Sequence, residues 1–94
     1  MRWGHLELGK DSGGLRHFLC GRPVHAGTGL RLRLPGGHVV RVRYEGDWRE
    51  GTVHPLLYLS VGENDEVLLS EPSYGRGVLA RLDLAWPDEE EDPR

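Results

Sequence analysis

Cysteine pairs, lysine and long apolar runs are all scarce in this chain of 94 residues. Because Cys20 is its single cysteine, no disulfide can form within the chain, which favours a reducing compartment. Apolar runs reach only three or four residues, and none follows Met1 and Arg2, so we expect neither a membrane span nor a secretory signal. The sequence therefore predicts one small cytoplasmic domain without membrane contact.

Helical periodicity is also missing. No window repeats its apolar residues every 3.6 positions, and 14 glycines and 6 prolines argue against long helices. Short apolar segments separated by turn residues instead predict strands at residues 3–8, 15–20, 30–34, 40–44, 52–61, 66–70 and 78–84. We predict an all-β fold, a small antiparallel SH3-like or partly open barrel of about six or seven short strands, because a barrel removes exposed strand edges.

The boundaries of these strands carry further expectations. Glycine clusters predict turns at residues 9–14 and 45–51. Pro55 cannot donate a ladder hydrogen bond, so its strand should lie at an edge or begin after it. In the last strand, alternation directs Leu79 outward. The domain should span residues 1–86, and the acidic tail 87–94 should be disordered.

The clearest pattern is a hairpin over residues 29–44. Apolar residues alternate with arginines on both sides of Pro35-Gly36-Gly37. Pairing Leu32 with Val40 keeps the two faces separate and leaves a three-residue loop, for which we expect a type I turn followed by a left-handed Gly37. One face is then aliphatic, and the other carries Arg31, Arg33, Arg41 and Arg43.

Charge is unevenly distributed. Five carboxylates and one arginine give the tail a charge of −4, so residues 1–86 carry +1. Residues 31–49 carry +3, whereas residues 61–72 carry −4. In the predicted register Arg31 and Arg41 lie directly opposite each other, which is unfavourable unless an anion offsets the repulsion.

Two hypotheses explain that anion. It is either a phosphate backbone or an acidic protein surface, or it is a carboxylate of this chain: Asp83, Glu7 or the tail. We accordingly interpret the chain as a non-enzymatic binding module that engages nucleic acid, or a complex that handles nucleic acid, through its arginine face. Arg49 and Trp48, the latter in the turn at 45–51, extend the predicted site, whereas Tyr44 belongs to the core.

The alternative function is that of a protein–protein adaptor or inhibitor, of the kind carried by phages and mobile elements. It would act through the acidic loop, with the tail adding carboxylates that imitate nucleic acid. The loop residues are Glu63, Asp65, Glu66 and Glu71.

Catalysis and cofactors find little support. His17, Cys20 and His25 have spacings that resemble a zinc site, but a structural zinc site takes four ligands, usually as two pairs. Cys20 ends an apolar strand, where cysteine usually behaves as a small buried hydrophobe, and no general-base motif accompanies it. The sequence predicts no enzyme, no metal and no cofactor.

Residues 25–32, HAGTGLRL, followed by residues 41–45, RVRYE, resemble a small uncharacterised bacterial family, domain of unknown function 5348. Its members run G-x-L, then L-H-x-G-x-x-L-x-L, then a turn bearing tryptophan and a strand of the form R-V/I-E. Residues 4–6, 24–32 and 41–45 match, and the pattern spans about half of the chain. Trp48 follows the R-V strand instead of preceding it, so residues 46–55 depart from the pattern. The resemblance implies a compact β fold and brings no activity with it.

Overall fold

A computed structural model describes residues 2–49, 51–69 and 79–89, and these form eight strands in two antiparallel sheets. The strands are β1 (Leu6–Asp11), β2 (Gly14–Leu19), β3 (Arg22–Pro23), β4 (Gly29–Arg33), β5 (Val39–Arg49), β6 (Thr52–Ser60), β7 (Glu66–Leu69) and β8 (Asp83–Ala85). One sheet has the order β1-β2-β3 and the other β7-β6-β5-β4-β8. The prediction of a small all-β fold with a partly open barrel is confirmed.

The hairpin β4–β5 forms the centre of the larger sheet, in the predicted register. Leu32 pairs with Val40 and Arg31 pairs with Arg41. Leu30 and Leu32 are buried on the inner face, as is Val42. Alternation along two strands thus fixes which side chains enter the core.

The turn of this hairpin differs from the expected type I geometry. Gly36 and Gly37 both have φ of +94°, and the amide of Gly37 donates to the carbonyl of Leu34 at 3.0 Å. A positive φ at the third residue of a four-residue turn, with Pro35 second, is the pattern of a type II turn. The prediction of a left-handed Gly37 is correct, but Gly36 is left-handed too.

The smaller sheet packs its apolar residues against the same core. Leu6 and Leu19 pair with each other and are buried, and Val24 follows β3 into the core. The predicted turn at 9–14 is too wide, because β1 continues to Asp11 and β2 begins at Gly14, leaving Ser12 and Gly13 as the turn. Polar residues on exposed strands pair through their backbones as well as apolar ones do, so composition alone overestimated the loop.

The predicted reversal at 45–51 is present but narrower than expected, because β5 continues to Arg49 and pairs there with Thr52 of β6. β5 runs through Gly46 to Arg49, and its residues from Val42 onward pair with β6. A Cβ on Gly46 would lie 3.0 Å from Cγ2 of Val53 and 3.3 Å from the Tyr44 hydroxyl, so glycine serves here to make room and not to turn the chain. We call residues 45–49 and 52–56 the ribbon, because β4 pairs with β5 only as far as Arg43 and β7 pairs with β6 only from Leu57.

Pro55 lies in this ribbon, opposite Gly46. At that point β6 has a neighbouring strand on one side only, among the described residues. The prediction that this strand lies at an edge or begins after Pro55 is wrong for β6 as a whole, which begins at Thr52 and is the second strand of its sheet. The missing donor is tolerated because β6 has no second described neighbour at Pro55 itself.

The C-terminal part departs most from the prediction. Leu79–Arg81 form a 3-10 helix instead of a strand, and β8 is only three residues long. Leu79 is fully buried and not directed outward, because the helical turn releases it from strand alternation. Trp86, also buried, donates through Nε1 to the carbonyl of Leu19 at 2.8 Å.

The start of the acidic tail packs against the domain. Pro87–Glu89 form a second short 3-10 helix beside β4. The predicted disorder of residues 90–94 concerns a segment outside the described residues. No helix in the described parts of the chain is both long and apolar enough to cross a membrane.

Candidate functional site

The outer face of the larger sheet carries the arginine face, which we define as Arg31, Arg33, Arg41 and Arg43. Arg31 and Arg33 lie on β4, and Arg41 and Arg43 lie on β5. Arg31 pairs directly with Arg41 in the ladder, so the structure brings all four predicted residues onto one surface. The geometry arises from strand alternation, which places the leucines and valines between them on the inner face.

Arg33 is held by an aromatic ring and a carboxylate. Its Nη2 lies 3.0 Å from Oδ2 of Asp83, and its guanidinium carbon lies 4.6 Å from the centroid of Trp3. Asp83 reaches it because β8 pairs with β4 and places the two residues opposite each other. The hypothesis that Asp83 neutralises part of the arginine face is thus correct for Arg33.

Arg43 has a similar arrangement with partners that the sequence did not predict. It donates to both carboxylate oxygens of Glu66, at 3.2 and 2.9 Å, and also to Glu45. Its guanidinium carbon lies 4.3 Å from the centroid of Tyr58. The hydrogen bond with Glu66 raises the pKa of Arg43 and lowers the pKa of Glu66.

Arg41 is different, because it is exposed and forms no ion pair with any carboxylate that the structure describes. It faces Arg31, which is half-buried. Of the other predicted internal partners, Glu7 pairs with none of the arginines in the described chain, and Asp88 of the tail binds Arg22 at 3.0 Å. Arg41 therefore keeps its positive charge without a carboxylate partner among the described residues.

Trp48 and Arg49, the remaining predicted site residues, are not part of this surface. Arg49 is six residues beyond Arg43 on β5, roughly 20 Å along the strand, and pairs with Asp47 at 2.7 Å. Trp48 is 62% exposed, as an available contact should be, but it lies on the opposite face of β5, across from Val53. The structure thus separates the tryptophan from the arginines.

Trp48 instead borders a cleft between the ribbon and the smaller sheet. The cleft has a volume of about 180 Å³, and Gly46 forms part of its floor. Its lining is mixed, with polar as well as apolar surface, and the other residues that form it are Leu15, Arg16, Val24, Ala26, Tyr44, Trp48 and Val53. Sequence reasoning missed this cleft, because its residues come from strands far apart in the chain.

A buried hydrogen bond lies under the cleft. Nδ1 of His17 and the hydroxyl of Tyr44 are 2.6 Å apart, and both residues are 3% exposed. Burial lowers the pKa of His17 and raises the pKa of Tyr44 to about 12. Both side chains are therefore neutral near neutral pH, which suits a pair enclosed in the core.

The three residues with zinc-like spacing have separate surroundings. His17 is bonded to Tyr44, whereas Nδ1 of His25 accepts a hydrogen bond from Nη1 of Arg16 at 2.9 Å. Cys20 is half-buried and has a φ of +52° in the turn between β2 and β3. No group of three or more potential metal ligands occurs in the described part of the chain.

Comparisons with known proteins add no relative to this description. No protein-family model, no curated protein and no solved structure matches the chain. The resemblance to domain of unknown function 5348 therefore stays a prediction, and the function must be argued from the residues themselves.

Proposed function

We propose that this protein is a non-enzymatic binding module that engages the phosphate backbone of nucleic acid through its arginine face. The observation that carries the proposal is Arg41, an exposed guanidinium without a described carboxylate partner, directly opposite Arg31 in the sheet. An exposed guanidinium on a surface that it shares with three other arginines attracts anions, and a phosphate accepts charge-assisted hydrogen bonds from it.

The ion pairs beside this centre are compatible with the proposal. The side chains of Arg33 and Asp83 are 41% and 39% exposed, and those of Arg43 and Glu66 are both 36% exposed. Exposed pairs of this kind contribute only about 0–1 kcal/mol, so phosphates exchange readily with the carboxylates. The rings of Trp3 and Tyr58 meanwhile keep both guanidinium groups on the surface.

The test is binding to labelled single-stranded and double-stranded nucleic acid of mixed sequence at several salt concentrations. We expect Arg41→Ala to weaken binding and to reduce the slope of log affinity against log salt by about 1, the loss of one phosphate contact. Arg81→Ala is the matched control, since Arg81 is also exposed but belongs to the first 3-10 helix and not to β4 or β5. Equal effects of the two substitutions would mean that only net charge matters and would refute a defined site.

The variant Asp83→Asn tests the same proposal through an expected gain of affinity for nucleic acid. It removes the carboxylate that competes for Arg33 while keeping the side-chain size, so nucleic-acid affinity should rise. A fall in affinity would show that Asp83 helps to build the site instead of occupying it.

The adaptor or inhibitor is the second candidate, and the turn between β6 and β7 favours it. Glu63 and Asp65 are exposed there, and neither has an ion-pair partner in the described part of the chain. This candidate gains support if the full chain and a chain ending at Glu89 both fail to bind nucleic acid. Stronger binding after removal of residues 90–94 would instead show that the acidic tail competes for the arginine face.

A further inference from the structure

We propose that the cleft beside Trp48 holds one unstacked nucleobase of a single-stranded nucleic acid, stacked against the indole ring. The inference rests on the proposed function, because the arginine face would hold the backbone of the same strand. It names the form of nucleic acid and gives a role to the predicted residue that the structure separates from the arginines.

The size of the cleft fits a single ring system. Its volume is about 180 Å³. A planar base fills such a space, whereas a duplex or a folded element of another protein is too large for it. Gly46 lines the cleft, and a Cβ there would lie 3.0 Å from Cγ2 of Val53 and would force the lining to shift.

The indole of Trp48 supplies the stacking surface. It is 62% exposed although it occupies an inward position on β5, because the ribbon extends beyond the strands that cover the rest of that face. Bases of any identity stack on such rings, so this contact would bind single strands without strict sequence preference. In a duplex the bases are already stacked and do not enter a cleft.

Polar groups in the cleft suit the edge of a base. Arg16 donates through Nε to Asp11 at 2.6 Å and through Nη1 to His25. A guanidinium carries five N–H groups, so donors remain for the ring nitrogen and carbonyl acceptors of a base.

The charges around the cleft favour an uncharged group over a phosphate. The charge of Arg16 is balanced by Asp11 at 2.6 Å. Since Arg16 is the one charged residue among the described residues that line the cleft, a phosphate there would meet the Asp11 carboxylate beside it, whereas a neutral base would not be repelled. The arginine face would thus bind the phosphate backbone, and the cleft would bind a base.

The ribbon connects the two surfaces. From Glu45 to Arg49 no strand pairs with β5 on its β4 side, within the described residues. A nucleic-acid single strand that follows the outer face from Arg41 and Arg43 can cross this unpaired edge of the ribbon. One of its bases can then enter the cleft and stack on Trp48. The two surfaces then act on one flexible chain, which a stiff duplex cannot follow.

The first test uses guanosine, which carries no phosphate and is therefore independent of the arginine face. We expect guanosine to quench the tryptophan fluorescence of the wild type, and Trp3→Phe to retain the quenching. Trp48→Phe made in the Trp3→Phe background should abolish it, because Trp86, the tryptophan that then remains, is buried. Quenching that persists in this double variant would place the base elsewhere and overturn the inference.

The second test measures the anisotropy of labelled strands of about 12 nucleotides, single or paired. Trp48→Ala should lower single-strand affinity about tenfold, with duplex affinity and the salt slope unchanged, and Trp48→Phe should restore most of the loss. If Trp48→Ala has no effect while Arg41→Ala weakens binding, the inference fails and the proposed function stands. Absence of binding to both forms, without quenching by guanosine, overturns both.

Discussion

Replacing Tyr44 by Phe tests the buried hydrogen bond beneath the cleft. The substitution leaves the ring in place and removes only the hydroxyl, which lies 2.6 Å from Nδ1 of His17. His17 is 3% exposed, so water cannot replace the lost partner. An unsatisfied buried polar group costs about 1–3 kcal/mol, a large fraction of the stability of a small domain.

Urea denaturation near pH 8, followed by tryptophan fluorescence, measures this loss. Tyr58→Phe is the matched control, because Tyr58 lies half-buried on the outer face and its ring contact with Arg43 survives the change. We expect the control to change the free energy of unfolding by less than about 0.5 kcal/mol. Equal losses in the two variants would refute the claim that the bond between Tyr44 and His17 stabilises the core.

The same pair predicts the pH range of stability. Burial, with a smaller effect of His54, lowers the pKa of His17 below 6.5. The unfolded chain therefore binds a proton that the folded chain does not, and stability is lost as the pH falls below about 6.5. Burial raises the pKa of Tyr44 from 10.0 to about 12, so the unfolded chain releases its phenol proton first and stability declines between those values.

Two variants separate the acid decline from the alkaline decline in the free energy of unfolding. Tyr44→Phe should abolish the alkaline decline and keep the acid decline, whereas His17→Gln should flatten the acid decline above pH 5. The lowered pKa values of Asp11 and Glu66 act only below their ordinary values of 3.8 and 4.5, and therefore at more acid pH. An alkaline decline of full size in Tyr44→Phe would assign it to another group.

The remaining predictions concern the fold and are read from unfolding curves. Leu79→Ala should cost about 2–5 kcal/mol because Leu79 is fully buried, whereas Leu8→Ala, at a position 50% exposed, should cost far less. If both variants lost only a similar, small amount of unfolding free energy, Leu79 would point outward, as strand alternation predicted. Gly36→Ala should destabilise the hairpin by about 1 kcal/mol, since φ is +94° there, while Gly29→Ala, with open space and no positive φ, should be nearly neutral. A neutral Gly36→Ala would contradict the type II turn.

The register of the central hairpin was predictable because two independent signals agree there. Alternation fixes the faces of both strands, and Pro35-Gly36-Gly37 fixes the position of the turn. The burial of Tyr44 followed from the same alternation. Since both signals are local in sequence, no knowledge of the rest of the fold was needed.

The sequence-based predictions are wrong where the role of a residue depends on residues far away in the sequence. Gly46 was interpreted as a turn residue, but glycine is required there because Tyr44 and Val53 approach it closely. Leu79 was assigned to a strand, but it enters the core from a 3-10 helix. Neither the close packing around Gly46 nor the burial of Leu79 can be inferred from neighbouring residues in the sequence alone.

The candidate site shows the same division. Strand alternation predicted which arginines share a face, and Asp83 was among the expected partners. The bond between Arg43 and Glu66 was missed, since it depends on β6 and β7 folding back over 23 positions. The placement of Trp48 was wrong because it followed from the predicted turn, which the ribbon replaces.

The segment around Leu84 has a consequence for how the chain folds. Leu84 pairs with Leu32 in the larger sheet and exchanges two backbone hydrogen bonds with Gly4, just before β1. Nearly the whole chain must therefore be present before the two ends meet and the last core positions are filled. Such distant pairings slow folding relative to local ones, so during synthesis the arginine hairpin would form early and the enclosure of its leucines would come last.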